Sequence, residues 1–216
     1  MTDKDKVHSN SRQSILKEET RKIILENART LFNELGFDKT STRTIAKKAG
    51  VGVGTVFSHF PDKQSLLIAA LLDDLNSTHE NALKSLPIDA HVCDKFLHLA
   101  EYYYSYYLKR PELSRILLKE MLFVKGEWGK KLLIHADQFV LFVQYLLEEA
   151  KEKEEISANT DTMLCANALF SYYLNVLFLG LNKPEFKLKK RLIFLRRLIT
   201  QLIGETDSEK NNANQI

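Results

Sequence analysis

Basic and hydroxyl-bearing side chains are concentrated in residues 42–60, which read TRTIAKKAGVGVGTVFSHF. Arginine and lysine pair with phosphate groups, and short hydroxyls and imidazoles hydrogen-bond to phosphates or to the edges of bases. The segment places two short helical stretches on either side of a glycine-containing turn, which is typical of a helix-turn-helix. In that motif the second helix enters the major groove while the first lies across the backbone. These residues therefore predict an interface for double-stranded DNA.

The glycine-rich run at 50–54, GVGVG, has an alternative interpretation as a phosphate-binding loop. A dinucleotide fingerprint requires a preceding strand, and a Walker loop ends in Gly-Lys-Ser or Gly-Lys-Thr. The sequence has neither feature, so the run favours the turn of a helix-turn-helix. Thr42 is predicted to cap the first short helix, a role that is compatible with a phosphate contact.

The elements that position these residues are predicted to be helices throughout. Apolar residues recur at helical spacing, and no segment shows sustained alternation. Only 8 glycines and 4 prolines occur in 216 residues, which argues against the many tight turns of an all-β protein. The fold class is therefore predicted to be all-α, with helices at about 17–35, 43–49, 53–59, 63–86, 88–109, 112–123, 127–152, 161–181 and 186–203.

The charge distribution divides the chain into a small basic part and a larger helical part. Residues 1–65 carry 12 Lys or Arg against 8 Asp or Glu, whereas the remainder carries 19 against 20. We predict a disordered polar tail at 1–16, a three-helix helix-turn-helix domain at 17–62 and a second disordered tail at 205–216. Residues 63–204 are predicted to form a larger helical domain for ligand binding and dimerisation.

Residues 20–75 resemble the N-terminal domain of the TetR/AcrR transcriptional regulators. The features that carry the resemblance are Leu-Gly-Phe at 35–37, TRTIA at 42–46, Ala-Gly-Val at 49–51, and GTVFSHF at 54–60 followed by Lys63 and Leu66. The family pattern there is a Gly-Val turn, then Gly-Thr-Leu-Tyr, one variable residue, His-Phe and a nearby Lys. The resemblance covers about a quarter of the chain and implies an operator-binding regulator.

The resemblance and the residue types together give a set of expected DNA-contacting residues. This chain departs from the family at Phe57, which lacks the hydroxyl that related sequences carry there, and at 52–53, where side-chain donors are few. Base recognition is then expected to use apolar contact with thymine methyl groups. The expected set is Thr42, Arg43, Thr44, Gly52, Val53, Gly54, Thr55, Phe57, His59 and Lys63.

Aromatic residues are concentrated after residue 65, which holds 17 of the 21 Phe, Tyr and Trp. Two hypotheses fit this concentration: ordinary core packing, and a partly aromatic cavity between helices with phenol hydroxyls as polar anchors. For the cavity we predict a small apolar or aromatic effector of unknown identity. Its expected lining is Tyr103, Tyr107, Phe123, Trp128, Phe139, Phe142 and Tyr172.

Residues 162–182 form an uncharged segment of 21 residues, which is long enough to span a membrane. A helix buried both in a core and across a dimer contact gives the same pattern. In TetR-like proteins the last two helices form a four-helix dimer bundle, so the resemblance implies a homodimer through helices 161–181 and 186–203. Asn167, Ser171 and Asn175 are costly in lipid when they lack hydrogen-bond partners, and we therefore predict no membrane partner.

The sequence as a whole predicts a cytoplasmic, homodimeric DNA-binding repressor that an effector releases from its operator. We expect no enzyme activity, because Ser58 and His59 are adjacent on a short helix and point apart. No metal and no cofactor are expected, since the spacing of His91, Cys93 and His98 fits no standard zinc site. Two alternatives stay open: a constitutive DNA-binding protein without an effector, and a helical membrane protein with a cytoplasmic head.

Overall fold

The computed structural model describes residues 3–122, 126–183 and 187–204, with side chains described from residue 12 onward, except at 122. The described residues form helices and no strands, which confirms the predicted all-α class. The helices are α1 (Asp3–Leu35), α2 (Thr42–Ala49), α3 (Val53–His59), α4 (Lys63–Lys84), α5 (Val92–Lys109), α6 (Pro111–Leu122), α7 (Gly126–Glu152), α8 (Thr162–Leu181) and α9 (Leu188–Ile203).

The chain divides into two compact units. The first contains residues up to Asp74 together with Arg115–Lys130, and the second contains Leu75–Ser114 and the residues from Lys131 onward. The first unit therefore includes residues beyond the helix-turn-helix domain predicted at 17–62. The predicted domain bounds stay a prediction, and the tail predicted at 205–216 lies outside the described residues.

The core of the first unit is built from one apolar face of each of its helices. Ile24, Ala28 and Phe32 of α1 are buried at helical spacing. Ile45 of α2 and Val56 of α3 are also fully buried. Because α2 and α3 are only eight and seven residues long, each depends on this tertiary packing for its stability.

Helix α1 begins 14 residues earlier than the sequence analysis predicts. The backbone is helical from Asp3, so the predicted disordered tail at 1–16 is wrong for residues 3–16. The segment is polar, and its side chains from residue 12 to 19 are exposed. Four of its residues, Lys4, Lys6, Arg12 and Gln13, have high intrinsic helix propensity, so polarity alone does not exclude a helix.

A salt-bridge cluster joins α1 and α4 within the first unit. The Arg29 guanidinium donates to the Ala70 carbonyl oxygen at 2.9 Å and lies 3.1 Å from the Asp74 carboxylate and 3.6 Å from that of Asp73. A planar guanidinium suits several acceptors at once. The cluster therefore holds residues 70–74 of α4 against α1.

The second unit has a core of stacked tyrosines and packed helices. The Tyr104 and Tyr173 rings stack with centroids 5.1 Å apart, and the Tyr104 hydroxyl donates to the Tyr173 carbonyl oxygen at 2.9 Å. Helix α9 packs against α5 and α8. Lys95 is only 3% exposed, and its ammonium lies 3.5 Å from the Glu149 carboxylate. The buried charge is thus paired, as burial of an ion requires.

Thr40 connects the end of α1 to the start of α2. Its side chain is only 1% exposed, and its hydroxyl lies 2.7 Å from the Gly36 carbonyl oxygen and 3.1 Å from that of Leu31. A buried carbonyl without a donor is unfavourable by about 1–3 kcal/mol. This hydroxyl therefore holds the 36–41 connection closed over the end of α1.

We expect Thr40→Val to lower the free energy of unfolding by about 1–2 kcal/mol, because the isosteric side chain removes the donor and leaves the carbonyls buried. Chemical denaturation measures the change. Thr30→Val is the matched control, since the Thr30 hydroxyl donates to the Glu26 carbonyl of its own exposed helical turn. Equal effects of the two substitutions would contradict this role of Thr40.

Candidate functional site

The turn between α2 and α3 is set by Gly50, whose φ of +69° lies in the left-handed region. The Val51 N–H donates to the Ala46 carbonyl at 3.0 Å, and the Gly50 N–H donates to the Lys47 carbonyl at 3.3 Å. This pair of bonds is the Schellman motif, which ends a helix with a glycine. The glycine therefore allows the chain to leave α2 and start α3 only three residues later.

The first helix of this motif is capped by Ser41. Its hydroxyl oxygen accepts from the Thr44 N–H at 3.0 Å and lies 2.7 Å from the Thr44 hydroxyl. The predicted cap, Thr42, is instead the first residue of α2. The prediction was wrong by one position, because two neighbouring hydroxyl residues are equally suited to capping.

The second helix begins at Val53 with Gly52 as its N-cap and exposes one face. Val56 is fully buried, whereas the Phe57 side chain is 49% exposed. The Ser58 hydroxyl donates to the Thr55 carbonyl at 2.7 Å, so it is used within the helix. A half-exposed phenyl ring on a surface helix carries no hydrogen-bonding group and therefore favours apolar contact.

Of the expected DNA-contacting residues, Arg43, Thr44, Gly52, Gly54 and Phe57 are exposed. The others are half-buried, and this second group consists of Thr42, Val53, Thr55, His59 and Lys63. All ten lie between the start of α2 and the start of α4, within the first unit. The structure thus brings the expected residues into one region, and their contacts with DNA stay a prediction.

Positive charge surrounds the end of α3. Partial burial, and then the charges of Lys17 and Arg21, lower the pKa of His59 below its ordinary value. Arg21 lies over the Trp128 ring at 5.0 Å and the Phe60 ring at 5.9 Å. His59 is therefore mainly neutral at pH 7, and a neutral imidazole has one hydrogen-bond donor and one acceptor.

Lys63 has a structural role that the sequence analysis did not predict. Its ammonium donates to the Phe37 carbonyl at 2.9 Å and to the Thr40 carbonyl at 3.1 Å, and it lies 4.1 Å from the centre of the Phe37 ring. An ammonium has three donors, so one remains for a phosphate. A substitution of Lys63 would therefore disturb the 36–41 connection as well as any DNA contact.

A second candidate site is a cavity of about 210 Å³ in the second unit, between α4, α5 and α7. Helices α4 and α7 each contribute three residues at i, i+3 and i+4 spacing, which places them on one helical face. Helix α5 contributes Tyr103. The lining residues are Asn76, His79, Glu80, Tyr103, His135, Gln138 and Phe139.

A chain of hydrogen bonds runs along one wall of this cavity. His135 Nδ1 lies 3.0 Å from Asn76 Oδ1, which assigns the proton of the neutral His135 ring to Nδ1. The Tyr103 hydroxyl lies 3.1 Å from His79 Nδ1 and 3.5 Å from His135 Nε2. The Tyr103 ring also meets Phe139 edge to face at 5.4 Å.

Burial keeps the two imidazoles of this wall uncharged. Burial first, and then the neighbouring His79, lower the pKa of His135 to about 4. Burial also lowers the pKa of His79, and Glu80 opposes this shift. Burial raises the pKa of the Tyr103 hydroxyl. At pH 7 the wall is therefore made of neutral hydrogen-bonding groups.

The predicted aromatic residues divide between this cavity and other places. Tyr103 and Phe139 line the cavity, and Phe142 lies beside it with its ring 5.8 Å from that of His79. Tyr107 is buried and hydrogen-bonds to Tyr173 in the core. Trp128, which lies in the first unit, and Tyr172 of α8 do not line this cavity. Phe123 lies outside the described residues.

His79 and His135 were missed as site residues, since two isolated histidines on helical segments suggest no shared site. The sequence does contain a usable pattern, because N-x-x-H-E at 76–80 and H-x-x-Q-F at 135–139 repeat the same helical spacing. The other residues weighed for metal binding have local partners. His91 accepts from the Cys93 N–H, and His98 lies 3.0 Å from the Ala82 carbonyl.

Within the described part of the chain, α8 alone is long and apolar enough to span a membrane. Helices in the cores of soluble proteins have the same length and composition, so this finding is weak evidence. Leu169, Tyr173 and Leu177 of α8 are buried in the second unit. The Asn167 amide donates to the Met163 carbonyl, and the Ser171 hydroxyl donates to the Asn167 carbonyl, so these polar groups are satisfied within the helix.

The fold and the α2–turn–α3 geometry define a helix-turn-helix domain that is followed by a helical domain with a cavity. Residues 24–70 match the family described as bacterial regulatory proteins, tetR family. The N-terminal part of the chain therefore carries a tetR-family helix-turn-helix domain, as its resemblance predicted.

A relative with a similar N-terminal region is an HTH-type transcriptional regulator of Staphylococcus aureus (strain bovine RF122 / ET3-1). It is 40% identical over 73 residues, which is 34% of this chain and 39% of the relative. The matched part thus spans about two fifths of the relative's length. The likeness therefore concerns the helix-turn-helix end of the two proteins.

Two solved structures resemble nearly the whole chain. RolR in complex with resorcinol has a TM-score of 0.69 at 19% identity, covering 94% of this chain and 96% of RolR. Thermus thermophilus FadR is described as a TetR family transcriptional repressor in complex with lauroyl-CoA. It has a TM-score of 0.70 at 20% identity, covering 87% of this chain and 98% of FadR. At this identity the likeness shows the fold.

We expect the free energy of unfolding to fall as the pH drops through the interval from about 6.5 to 4, because His135 binds a proton more readily in the unfolded chain. This histidine contributes a loss of about 1–2 kcal/mol at pH 5. His135→Gln should reduce the pH dependence by that amount. Denaturation of both proteins at pH 7.5 and pH 5 measures it, and identical pH dependence would contradict the neutral imidazole.

Proposed function

We propose that this protein is a transcriptional repressor that binds operator DNA as a homodimer and releases it when a small molecule binds the second unit. The α2–turn–α3 geometry with Gly50 in the left-handed region carries this proposal. It supplies a short helix with an exposed face, and such a helix reads base edges in the major groove. The match of residues 24–70 to the tetR family supports the same role.

Within this proposal, the two helices have different tasks. Arg43 and the exposed hydroxyl of Thr44 at the start of α2 contact phosphates. Thr55 and the exposed Phe57 ring of α3 face base edges and thymine methyl groups. His59 and Lys63 follow, and the free N–H of Lys63 contributes to a phosphate contact. The glycines at 52 and 54, with Val53 between them, let the helix backbone approach the groove.

The homodimer is proposed to form through α8 and α9. These neighbouring helices expose Leu164, Leu179, Ile193 and Phe194, each at least 42% accessible. Exposed apolar surface that is shared by two packed helices is typical of an obligate interface. A two-fold dimer addresses a pseudo-palindrome whose half-sites are about 34–36 Å apart, or a multiple of that distance.

The effector is proposed to act through α4. This single helix carries Lys63 at its start, against the 36–41 connection, and His79 sixteen residues later, in the cavity wall. A ligand that shifts the cavity end of α4 therefore changes the operator-binding population.

The ligands of the two similar structures differ widely. RolR is described with resorcinol, a small diphenol, and Thermus thermophilus FadR with lauroyl-CoA, a large anion. The fold alone therefore accommodates very different effectors. The class of effector for this chain has to be argued from its own cavity residues.

The proposal assigns the protein to the cytoplasm, where its DNA target lies, and assigns it no catalytic reaction. It needs no cofactor and no membrane partner. A DNA-binding protein without an effector is the alternative outcome, and it is recognised by operator affinity that no small molecule changes. Both roles share the DNA-binding step, so that step is tested first.

We expect Arg43→Ala to weaken binding to operator and random DNA alike and to lower the salt slope of log K by about 1. Thr55→Ala should instead reduce the preference for operator over random DNA. Fluorescence titrations with fragments of the protein's own upstream region at two salt concentrations measure both effects. Lys109→Ala, an exposed cation on α5, is the control. If neither variant differs from the wild type, the proposed DNA-binding face is wrong.

We expect the wild-type chain to be a dimer of twice 24.9 kDa at micromolar concentration. Leu164→Lys together with Leu179→Lys should convert it to a monomer, because charges would be buried without partners. Light scattering over a dilution series measures the mass. Ile88→Lys is the control, since Ile88 is 72% exposed and lies outside α8 and α9. A wild-type monomer would contradict the proposed interface.

A further inference from the structure

The side chains of the cavity wall have a limited number of protons that they can donate in hydrogen bonds. At neutral pH the two imidazoles and the Tyr103 hydroxyl carry one proton each, and His135 uses its proton on Asn76 Oδ1 at 3.0 Å. The Tyr103 hydroxyl proton serves either His79 Nδ1 at 3.1 Å or His135 Nε2 at 3.5 Å. It cannot serve both.

The hydroxyl proton of Tyr103 can be placed in two ways. When the Tyr103 hydroxyl donates to His79, His135 Nε2 receives no proton from Asn76, His79 or Tyr103. When it donates to His135, His79 donates from Nδ1 to the Tyr103 oxygen, and His79 Nε2 becomes the acceptor without a proton from these residues. In the first arrangement the lone pair of His135 Nε2 faces the Tyr103 oxygen without a proton, so the second arrangement alone satisfies both contacts of Tyr103. It leaves His79 Nε2 as the acceptor that a ligand can fill.

The charge of the lining limits the ligand further. None of the seven lining residues is a lysine or arginine, and Glu80 is the residue among them with a formal charge at pH 7. A carboxylate or phosphate ligand would therefore meet no cation there. The apolar part of the lining consists of Phe139 and the ring of Tyr103, which meet edge to face at 5.4 Å. The volume of about 210 Å³ suits a molecule of one ring.

We propose that this cavity binds a small uncharged compound with a flat apolar body and a hydroxyl or amide N–H, which donates to His79 while the body packs on Phe139. This inference rests on the proposed ligand-responsive repressor, and it names the class of its effector. Selection between ligands then depends on a donated proton and on the absence of negative charge.

The test uses three compounds of the same shape: p-cresol, which has a hydroxyl donor, 4-methylanisole, which has the oxygen without the proton, and p-toluate, which is an anion. Calorimetric titration of the full-length protein measures their affinities. We expect p-cresol to bind at least tenfold more tightly than either of the others. Equal affinities of p-cresol and 4-methylanisole, or tighter binding of p-toluate, overturn the proposal.

Two variants test the residues. His79→Phe with His135→Phe removes both imidazole acceptors, so the preference for p-cresol over 4-methylanisole should disappear. Tyr103→Phe removes the competing hydroxyl proton and leaves the imidazoles, so that preference should persist or increase. A purely structural role of Tyr103 would weaken all ligands alike. Tyr102→Phe and His98→Phe, outside the lining, are the matched controls and should bind as the wild type does.

The same proteins are titrated onto the upstream DNA fragment with and without p-cresol. Release of DNA by p-cresol, and not by p-toluate, supports the effector class. Binding of p-cresol without release overturns its assignment as effector, while ligand-free DNA binding still supports the repressor. Failure to bind DNA in the absence of any ligand overturns the proposed function. In that case the calorimetric affinities of the three compounds still decide which class of ligand the cavity binds.

Discussion

The left-handed backbone at Gly50 is the constraint on which the first unit depends. With φ at +69°, this residue ends α2 by the Schellman bonds and lets α3 begin at Val53. The short turn places Ile45 and Val56 in one core, which in turn leaves Phe57 on the outer face. A residue with a Cβ in this conformation is strained by about 1 kcal/mol or more, and the strain would act directly on the angle between the two helices.

Much of this arrangement follows from the sequence because strong local features mark it. Gly50 and Pro61 bound α2 and α3, and their predicted limits agree with the structure to within one residue. The sequence did not show that α1 begins at Asp3, since a polar segment that forms an exposed helix resembles a disordered one. Nor did it show that the Lys63 ammonium binds two carbonyls, because that contact joins positions 23 and 26 residues apart.

The residues that line the cavity could be predicted from the sequence only in part. Aromatic residues indicate burial, but the same composition serves a stacked core and a ligand wall. In the structure Tyr104 and Tyr173 stack in the core, whereas Tyr103, one position from Tyr104, faces the cavity. The two histidines of the polar wall, His79 and His135, lie on different helices and are 56 residues apart in sequence. Local patterns therefore predict which face of its helix each histidine occupies. They do not predict that the two histidines lie close together.

The free energy needed to switch the operator-binding population determines which ligand contacts in the cavity must contribute most. Moving an operator-binding population from 99:1 to 1:99 requires about 5.5 kcal/mol of differential ligand affinity. One neutral hydrogen bond to an imidazole supplies about 0.5–1.5 kcal/mol, which is too little. Burial of about 150 Å² of aromatic surface at about 25 cal/mol per Å² supplies about 4 kcal/mol.

These contributions shift the population only as far as they differ between the two states. The releasing state must therefore close the α4 and α7 residues around the ring, whereas the operator-binding state must leave that surface open or filled by its own side chains. The hydrogen bond then selects the ligand, and the apolar wall at Phe139 supplies most of the energy that moves α4.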